Sequence, residues 1–228
     1  MIDQEEEAKI QYVLQLPPTD IVRSAFNLNL RAGEIAALYG HNWLDDNIIN
    51  YYMQMILKRS HEKRAANAPG YLKIGVVNTF WYQKLASNGF SSVQRWTRYT
   101  NIFDQDVVFV PVHLGAHWCL AVVDVTDKCV NYYDPFHMKN EKCLGLLREF
   151  LILEYLDKKQ QELDISEWQY KCIADSPIQR NSYDCGVFAC ITAEYLSRKA
   201  PLSFSQEDMS YFRRRMLLQT LVYNNLEC

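Results

Sequence analysis

Hydrophobic residues recur at helical spacing in the segment WLDDNIINYYMQMILKRSHEKR, residues 43–64. One stripe of a helix would hold its apolar positions, which are Ile48, Ile49, Tyr52, Met53, Ile56 and Leu57. Asp45 precedes this stripe and is suited to cap the helix, and the basic residues at the other end complement the helix dipole. The pattern predicts an amphipathic helix with one buried face.

Further helices are predicted in five segments from their start signals, stop signals and spacing. They run from residue 78 or 79 to 87, where an Asn-Gly pair stops the helix, over 91–96, over about 140–161, from 185 onwards, and from 205 to about 223. The segment 140–161 is charged, whereas the segment that opens at residue 185 is an apolar run.

The hydrophobic pattern changes in the middle of the chain, where short runs rich in β-branched and aromatic residues follow one another. These runs are DVVFVPV, HWCLAVVDV and CVNYYD, at residues 106–112, 117–125 and 129–134, and a further strand is expected in WQYKCIAD at 168–175. Their near-continuous apolarity indicates adjacent antiparallel strands that are buried on both faces. Helices, then strands, then helices again predict an α+β fold with a central sheet packed between helices.

The composition is that of a folded domain of ordinary size. The chain has 228 residues, of which 49% are hydrophobic and 13% aromatic, and this is enough for a substantial core. It contains no internal repeat and no linker-like segment. After a charged start and the pair Pro17 and Pro18, we expect residues 1–20 to form an N-terminal extension and residues 21–228 to form one domain.

Charge and cysteine content exclude several classes of protein. The formal net charge of -3 shows no excess of basic residues, so no nucleic-acid partner is expected. Seven cysteines are scattered along a chain too large to need disulfides, which indicates a reducing cytosolic or nuclear compartment. No apolar run approaches the roughly 20 residues of a membrane span, and the acidic start MIDQEEEAKI is unlike a secretory signal. We therefore expect a soluble protein that is not secreted and has no membrane partner.

Three polar residues stand at the predicted ends of elements, where a rigid scaffold can present reactive groups. His117 opens one strand, Asp134 closes the next, and Cys185 opens a helix. If the two strands pair as a hairpin, His117 and Asp134 come within cross-strand distance, about 5 to 8 Å between neighbours. An imidazole and a carboxylate at that separation can lean together and form a hydrogen bond.

Cys185 has the setting of a nucleophile. A thiol at a helix N-terminus faces unpaired N–H groups and the positive end of the dipole, and a neighbouring imidazolium stabilises the thiolate further. Gly186 allows close approach of backbone or substrate, and the turn sequence RNSYD would keep the sulfur exposed. The alternative is a buried packing residue, which is the usual role of a free cysteine and the role expected for Cys190.

An acyl-transfer site also needs hydrogen-bond donors for the oxyanion of its tetrahedral intermediate. Gln179 lies on the same loop as Cys185 and can offer its amide N–H, and the backbone N–H of Cys185 can offer a second donor. From position alone, however, Gln179 is more typical of a solvated loop residue than of an oxyanion donor.

Metal binding is the main competing chemistry. His113, His117 and Cys119 in VHLGAHWC suggest a zinc site. However, the residues between the histidines resemble a turn between strands rather than the helix that an i, i+4 zinc pair needs, and the chain contains no CxxC pair. We therefore expect no metal and no other cofactor. The remaining histidines are expected at the surface, and they are His41, His61 and His137.

Several segments together resemble the catalytic domain of the Ulp/SENP family of SUMO proteases. They are HNWLDDNIINYYM, NTFWYQKL, RWTR, VPVHLGAHWCLAVVD, YYD and QRNSYDCGVF. The likeness runs from about Ser24 to MSYFRRRM near the C-terminus, which is nearly the whole chain. It implies a papain-like cysteine protease core that cleaves after the C-terminal Gly-Gly of SUMO, releasing SUMO from lysines of target proteins or trimming its precursor.

The resemblance also implies roles for individual residues. Four match the family's general base, orienting carboxylate, oxyanion-hole side chain and nucleophile, and they are His117, Asp134, Gln179 and Cys185. Two match the tryptophans that wall a tunnel for the Gly-Gly tail, Trp43 and Trp118. Three fall where the family contacts the folded body of SUMO, Asp46, Phe80 and Arg95. Without the resemblance, Trp43, Trp118 and Phe80 would be interpreted as ordinary core aromatics. Asp46 would be an acidic residue in the first turn of a helix, and Arg95 a solvated base.

Other functions remain open as alternatives. The sequence motifs RNSYDCG and LDDN are also consistent with a deneddylase or another protease of ubiquitin-like modifiers. An acyltransferase would need a basic acyl-CoA pocket that the sequence does not show, and a catalytically silent SUMO-binding module would not need the intact quartet. The expected partners are SUMO and SUMO-conjugated proteins, bound by a monomer. The resemblance implies a nuclear location, including the nuclear envelope, or a cytoplasmic one.

Overall fold

A computed structural model describes residues 4–97 and 101–221 of the chain. Its α-helices are α1 (Gln4–Leu14), α2 (Ala32–Tyr39), α3 (Asp46–Ala65), α4 (Thr79–Asn88), α5 (Glu141–Lys159), α6 (Cys185–Ser197) and α7 (Met209–Leu221). Its strands are β1 (Ile21–Ala25), β2 (Leu28–Arg31), β3 (Ile74–Val76), β4 (Val107–His113), β5 (Trp118–Asp124), β6 (Cys129–Tyr133) and β7 (Gln169–Ile173). Short 3-10 helices cover Phe90–Ser92, Gln94–Thr97, Ile102–Asp104 and Gln206–Asp208.

A mixed sheet of five strands lies at the centre of the fold, in the order β3-β4-β5-β6-β7. The inner pairs β4–β5 and β5–β6 are antiparallel, as predicted, and the outer pairs β3–β4 and β6–β7 are parallel. Strands β4 and β5 are buried along their length except at the last residue. This burial explains their near-continuous apolar sequence, because helices cover both faces of the sheet.

The side chains of β5 alternate between two hydrophobic cores, one on each face of the sheet. Leu120 and Val122 pack with residues of α2, α3, α6 and α7 on one face. Ala121 and Val123 pack with residues of α4 and α5 on the other face. The predicted α+β fold, with a central mixed sheet between helices, is therefore confirmed.

The predicted helices are present with small shifts at their ends. Helix α3 begins at Asp46, and the Asp45 carboxylate caps it by accepting a 3.0 Å hydrogen bond from the Ile48 N–H, as predicted. The segment 91–96 forms parts of two 3-10 helices rather than one α-helix, and α7 covers most of the last predicted helix, whose final residues 222–223 lie outside the described residues. Of the helices formed by the described residues, none has the length and apolar character that a membrane crossing requires.

The sequence pattern does not predict α1, α2, β3 or the hairpin of β1 and β2. The hairpin strands are short and mostly half-exposed, and the turn between them has positive φ angles of 56° at Phe26 and 58° at Asn27, without the glycine that usually marks such turns. Helix α1 lies in the stretch expected as an N-terminal extension, and its Ile10 and Val13 are buried in the core that α2 and α7 share.

Candidate active site

His117 and Asp134 come together because β5 and β6 pair as an antiparallel hairpin. Leu120 lies opposite Tyr133 in this pair, which brings the residue after β6 close to the residue before β5. The His117 Nε2 and Asp134 Oδ1 atoms are 2.9 Å apart. The structure thus contains the hydrogen bond that the strand pattern predicts.

Burial and hydrogen bonds set the charge on this pair. Burial alone lowers the pKa of His117, but hydrogen bonds to Asp134 and to two cysteine thiols outweigh burial and raise the pKa to about 12. Burial raises the pKa of Asp134, but hydrogen bonds from His117 and the Phe136 N–H reverse this effect, so the pKa lies below its usual value. At neutral pH the pair is therefore an imidazolium beside a carboxylate.

Cys185 is the first residue of α6 and lines a cleft. The N–H groups in the first turn of a helix have no partner within the helix and carry the positive end of its dipole, which favours a thiolate. The Cys185 thiol lies close enough to His117 to contribute to the raised pKa of the imidazole. Because Asp134 occupies Nε2, the other ring nitrogen of His117 remains for the thiol.

The expectation that the turn before Cys185 keeps its sulfur exposed is wrong, because this residue is only 3% exposed. Helix α6 begins against the loop before α3, where a Cβ atom on Gly186 would lie 3.0 Å from the Cβ atom of Leu44. Gly186 therefore allows the close approach of α6 to Leu44. The side chain of Cys185 is accessible from the cleft and not from the open surface.

A cleft of about 520 Å³ leads to Cys185. Its lining includes four of the five residues that the resemblance assigns to substrate binding, namely Trp43, Asp46, Phe80 and Trp118. Trp43 and Phe80 are 54% and 47% exposed, so both offer aromatic surface to a ligand. Arg95 is exposed on the 3-10 helix Gln94–Thr97 and is not among the lining residues.

Trp118 is buried and held from two sides. Its indole Nε1–H donates a 3.0 Å hydrogen bond to the Leu44 carbonyl oxygen. The ring of His113 stacks on its indole, with 4.1 Å between centroids. Because Leu44 directly follows Trp43, the hydrogen bond joins the two segments that carry the tryptophans.

Gln179 lies on the loop before α6, which packs against the segment after β6. Its backbone N–H donates to the Pro135 carbonyl oxygen at 2.8 Å. Its side chain is buried, and its Nε2 donates to the Asn181 carbonyl oxygen at 2.7 Å and to Asn181 Oδ1 at 3.1 Å. In this conformation an oxyanion would compete with Asn181 for a Gln179 N–H.

The sequence pattern does not predict a buried network that lies behind Cys185. Asp184, the residue before Cys185, accepts hydrogen bonds through Oδ1 from Arg213 at 2.6 Å and through Oδ2 from Asn181 at 2.6 Å and Gln206 at 2.8 Å. The Arg213 guanidinium also donates to three main-chain carbonyl oxygens at 2.9 Å, and these belong to Ala37, Asn42 and Tyr183. Arg213 therefore links the loop before Trp43 to the loop before Cys185.

One feature of the sequence could have indicated the buried role of Arg213. The predicted last helix has apolar residues at Met209, Phe212 and Met216, and Arg213 occupies the i+4 position of the same stripe. All four residues are buried in the structure. A charged residue on an apolar stripe needs a buried partner of opposite charge.

Among the described residues, one group has the side-chain types of a metal site. Ligand atoms of His117, Cys119 and Asp134 lie within 4.8 Å of one another. The hydrogen bond between His117 and Asp134 already joins two of these atoms, so the arrangement is that of an acid–base pair. His113 contacts Gln83 and Trp118 instead, which does not support the zinc pair considered above.

Known proteins resemble this chain in sequence and in fold. The chain is 41% identical over 202 residues to a sentrin-specific protease of Caenorhabditis elegans, covering 89% of this chain and 28% of that protein. It is 37% identical over 207 residues to sentrin-specific protease 2 of Rattus norvegicus, covering 90% of this chain and 34% of that protein. The chain thus spans about a third of the length of these curated relatives.

A solved structure shows the same architecture. It is the C-terminal Ulp1 protease domain in complex with Smt3, the yeast ortholog of SUMO, with a TM-score of 0.82, 26% sequence identity, and coverage of 97% of this chain and 96% of that chain. This likeness confirms the papain-like core. Residues 42–224 match the family model described as the Ulp1 protease family, C-terminal catalytic domain. The chain therefore belongs to the Ulp1 protease family of cysteine proteases.

Proposed function

We propose that the chain is the catalytic domain of a protease that cleaves after the C-terminal Gly-Gly of SUMO. The observation that carries this proposal is the cleft lined by Trp43 and Trp118, which reaches Cys185 beside the histidine–aspartate pair. A slot between two indole rings admits a glycine backbone and excludes bulkier residues. The sentrin-specific protease relatives and the likeness to a protease domain in complex with Smt3 support SUMO as the modifier.

The site residues have complementary roles in this reaction. His117, oriented by Asp134, holds the proton of the Cys185 thiol, and the thiolate attacks the carbonyl carbon of the terminal glycine. The Gln179 amide and the Cys185 N–H stabilise the oxyanion. The tetrahedral intermediate collapses to a thioester as the imidazolium gives its proton to the leaving amine. Water then hydrolyses the thioester.

The substrates of this proposal are SUMO precursors and SUMO joined to lysines of target proteins. Asp46, Phe80 and Arg95 contact the folded body of the modifier, and the cleft holds its tail. Residues 21–228 form the catalytic domain and residues 1–20 its N-terminal extension. The protein acts as a monomer in the nucleus, including the nuclear envelope, or in the cytoplasm. It requires no metal, cofactor, nucleic acid or membrane.

The test is covalent labelling with SUMO, ubiquitin and a Nedd-type modifier, each carrying a thiol-reactive group at its C-terminus. We expect SUMO alone to form an adduct, which mass spectrometry should locate on Cys185. The adduct should be lost in Cys185→Ser and retained in Cys190→Ser. Cys190 is a suitable control because it lies five residues further along α6 and is fully buried, with a thiol pKa raised by burial.

The other outcomes separate the alternatives. An adduct with the Nedd-type modifier instead of SUMO would support the proposed reaction but show that SUMO is not the modifier. If no modifier reacted, the chain would be a silent binding module. If Cys185→Ser were still labelled, the nucleophile would have been assigned to the wrong residue.

A further inference from the structure

Three large apolar side chains are exposed on two neighbouring loops beside the catalytic pair. Phe136 and Met138, in the segment after β6, are 41% and 52% exposed, and Ile178, in the segment before α6, is 44% exposed. We call these three residues the apolar rim. Exposed apolar side chains that cluster in this way mark a binding surface more often than scattered ones do.

Hydrogen bonds hold the two loops of the apolar rim together. His137, expected at the surface, is instead half-buried, and its Nε2–H donates to the Ser176 carbonyl oxygen at 2.8 Å. The Gln179 N–H donates to the Pro135 carbonyl oxygen at 2.8 Å. Phe136 and Met138 flank His137 in the sequence, and Ile178 precedes Gln179. Each rim residue is therefore next to a residue whose hydrogen bond fixes one loop against the other.

The apolar rim is continuous with the reaction centre. The Phe136 ring stacks on the His117 ring, with 5.0 Å between centroids and 27° between planes. The Phe136 N–H donates to Asp134 Oδ1 at 2.7 Å. None of the rim residues lines the cleft that leads to Cys185. The rim thus adjoins the general base outside the cleft assigned to the Gly-Gly tail.

We propose that the apolar rim binds the polypeptide on the leaving side of the scissile bond and favours apolar residues next to the acceptor lysine. This inference rests on the proposed protease function. His117 has to come within about 2.6 to 3.2 Å of the leaving nitrogen to give it a proton. The lysine stem and its neighbours therefore pass over the Phe136 ring that covers His117, and apolar side chains there lose contact with water.

The experiment compares two isopeptide substrates that differ only beside the acceptor lysine. In one, SUMO is joined to a fluorescent peptide with leucines on both sides of the lysine, and in the other the leucines are replaced by serines. The measured quantity is the ratio of the two kcat/KM values. For the natural chain we expect a ratio of roughly five in favour of the leucine peptide, from partial burial of two apolar side chains.

The matched variants are Met138→Ser with Ile178→Ser, and Leu156→Ser as the control. Leu156 is 45% exposed on α5 and lies outside both the cleft and the rim. The rim double variant should bring the ratio to about one, and the control should keep it at roughly five. Phe136→Leu is the second test, because leucine keeps a side chain on His117 while reducing the rim's apolar area. It should give an intermediate ratio.

A SUMO–coumarin amide, which has no peptide on the leaving side, separates this inference from the proposed function. Hydrolysis of the coumarin amide together with a ratio of one in the natural chain would overturn the role of the rim and leave the protease function standing. An unchanged ratio in the rim double variant would also overturn it. If the coumarin amide were not hydrolysed at all, the protease function would be wrong, and the role of the rim with it.

Discussion

Replacing Arg213 with methionine tests whether this buried arginine holds the active-site loops. Its guanidinium donates to Asp184 at 2.6 Å and to three carbonyl oxygens at 2.9 Å. Arg213→Met keeps an unbranched side chain but removes all of these bonds and leaves the Asp184 carboxylate buried without its cation. Removing one partner of a buried ion pair costs about 3–5 kcal/mol. We expect the free energy of unfolding to fall by about this amount.

The neighbouring arginine provides the control. Arg214 lies on the same helix, but the side chains of its pair with Glu7 are 43% and 37% exposed, and ion pairs that solvent reaches contribute about 0–1 kcal/mol. Arg214→Met should therefore change the free energy of unfolding by no more than that. Urea titration followed by tryptophan fluorescence measures both variants, because the chain has five tryptophans.

A double variant sharpens the test. Adding Asp184→Asn to Arg213→Met removes the uncompensated charge, so the double variant should lose less stability than the two single variants added together. If Arg213→Met and Arg214→Met differed by less than about 1 kcal/mol, the upper value for an exposed pair, Arg213 would not hold the loops. The same would follow if the two single losses of stability simply added.

Three further changes test the site. Asp134→Asn should lower kcat by about 10⁴ with KM nearly unchanged, as in serine-protease triads, and full activity would rule out the pair. His117 has a pKa of about 12 in the folded state, compared with the ordinary value of 6.5 that applies in the unfolded state. Its stabilisation of the fold is therefore complete below pH 6.5 and is lost as the pH rises towards 12. Urea titrations should thus show the advantage over His117→Gln shrinking from pH 6.5 to 10, and a constant advantage would contradict this. Gly186→Ala places a Cβ atom 3.0 Å from Leu44 Cβ, so it should destabilise the fold by about 1–3 kcal/mol in urea, and a neutral effect would show that Leu44 yields freely.

The geometry of the candidate site could be predicted from the sequence because it depends on local patterns. His117 and Asp134 flank two strands joined by a tight turn, so the strand period alone places them within reach of each other. Asp45 was recognisable as a cap because capping depends on residues a few positions apart. Cys185 could be placed at a helix start for the same reason.

The network around Arg213 could not be predicted because it depends on long-range packing. Its partners include Ala37 in α2 and Asn42 and Asp184 in two loops, and no spacing rule relates α7 to segments so far away in the sequence. The burial of Cys185 has the same origin, since it follows from the contact of Gly186 with a loop far earlier in the chain. A local turn signal predicts that the chain changes direction, but it does not show which distant segment packs against the turn.

The hydrogen bond from Trp118 to the Leu44 carbonyl oxygen has a consequence for fidelity. Trp118 is the sequence neighbour of His117, and Leu44 is the neighbour of Trp43. Under the proposed function, a tail with a side chain in place of a glycine would have to spread the two indoles apart, and the same displacement would carry the imidazole away from the thiol. A mismatched tail would then be penalised both in its affinity and in its rate of acylation, and the two penalties would multiply in kcat/KM.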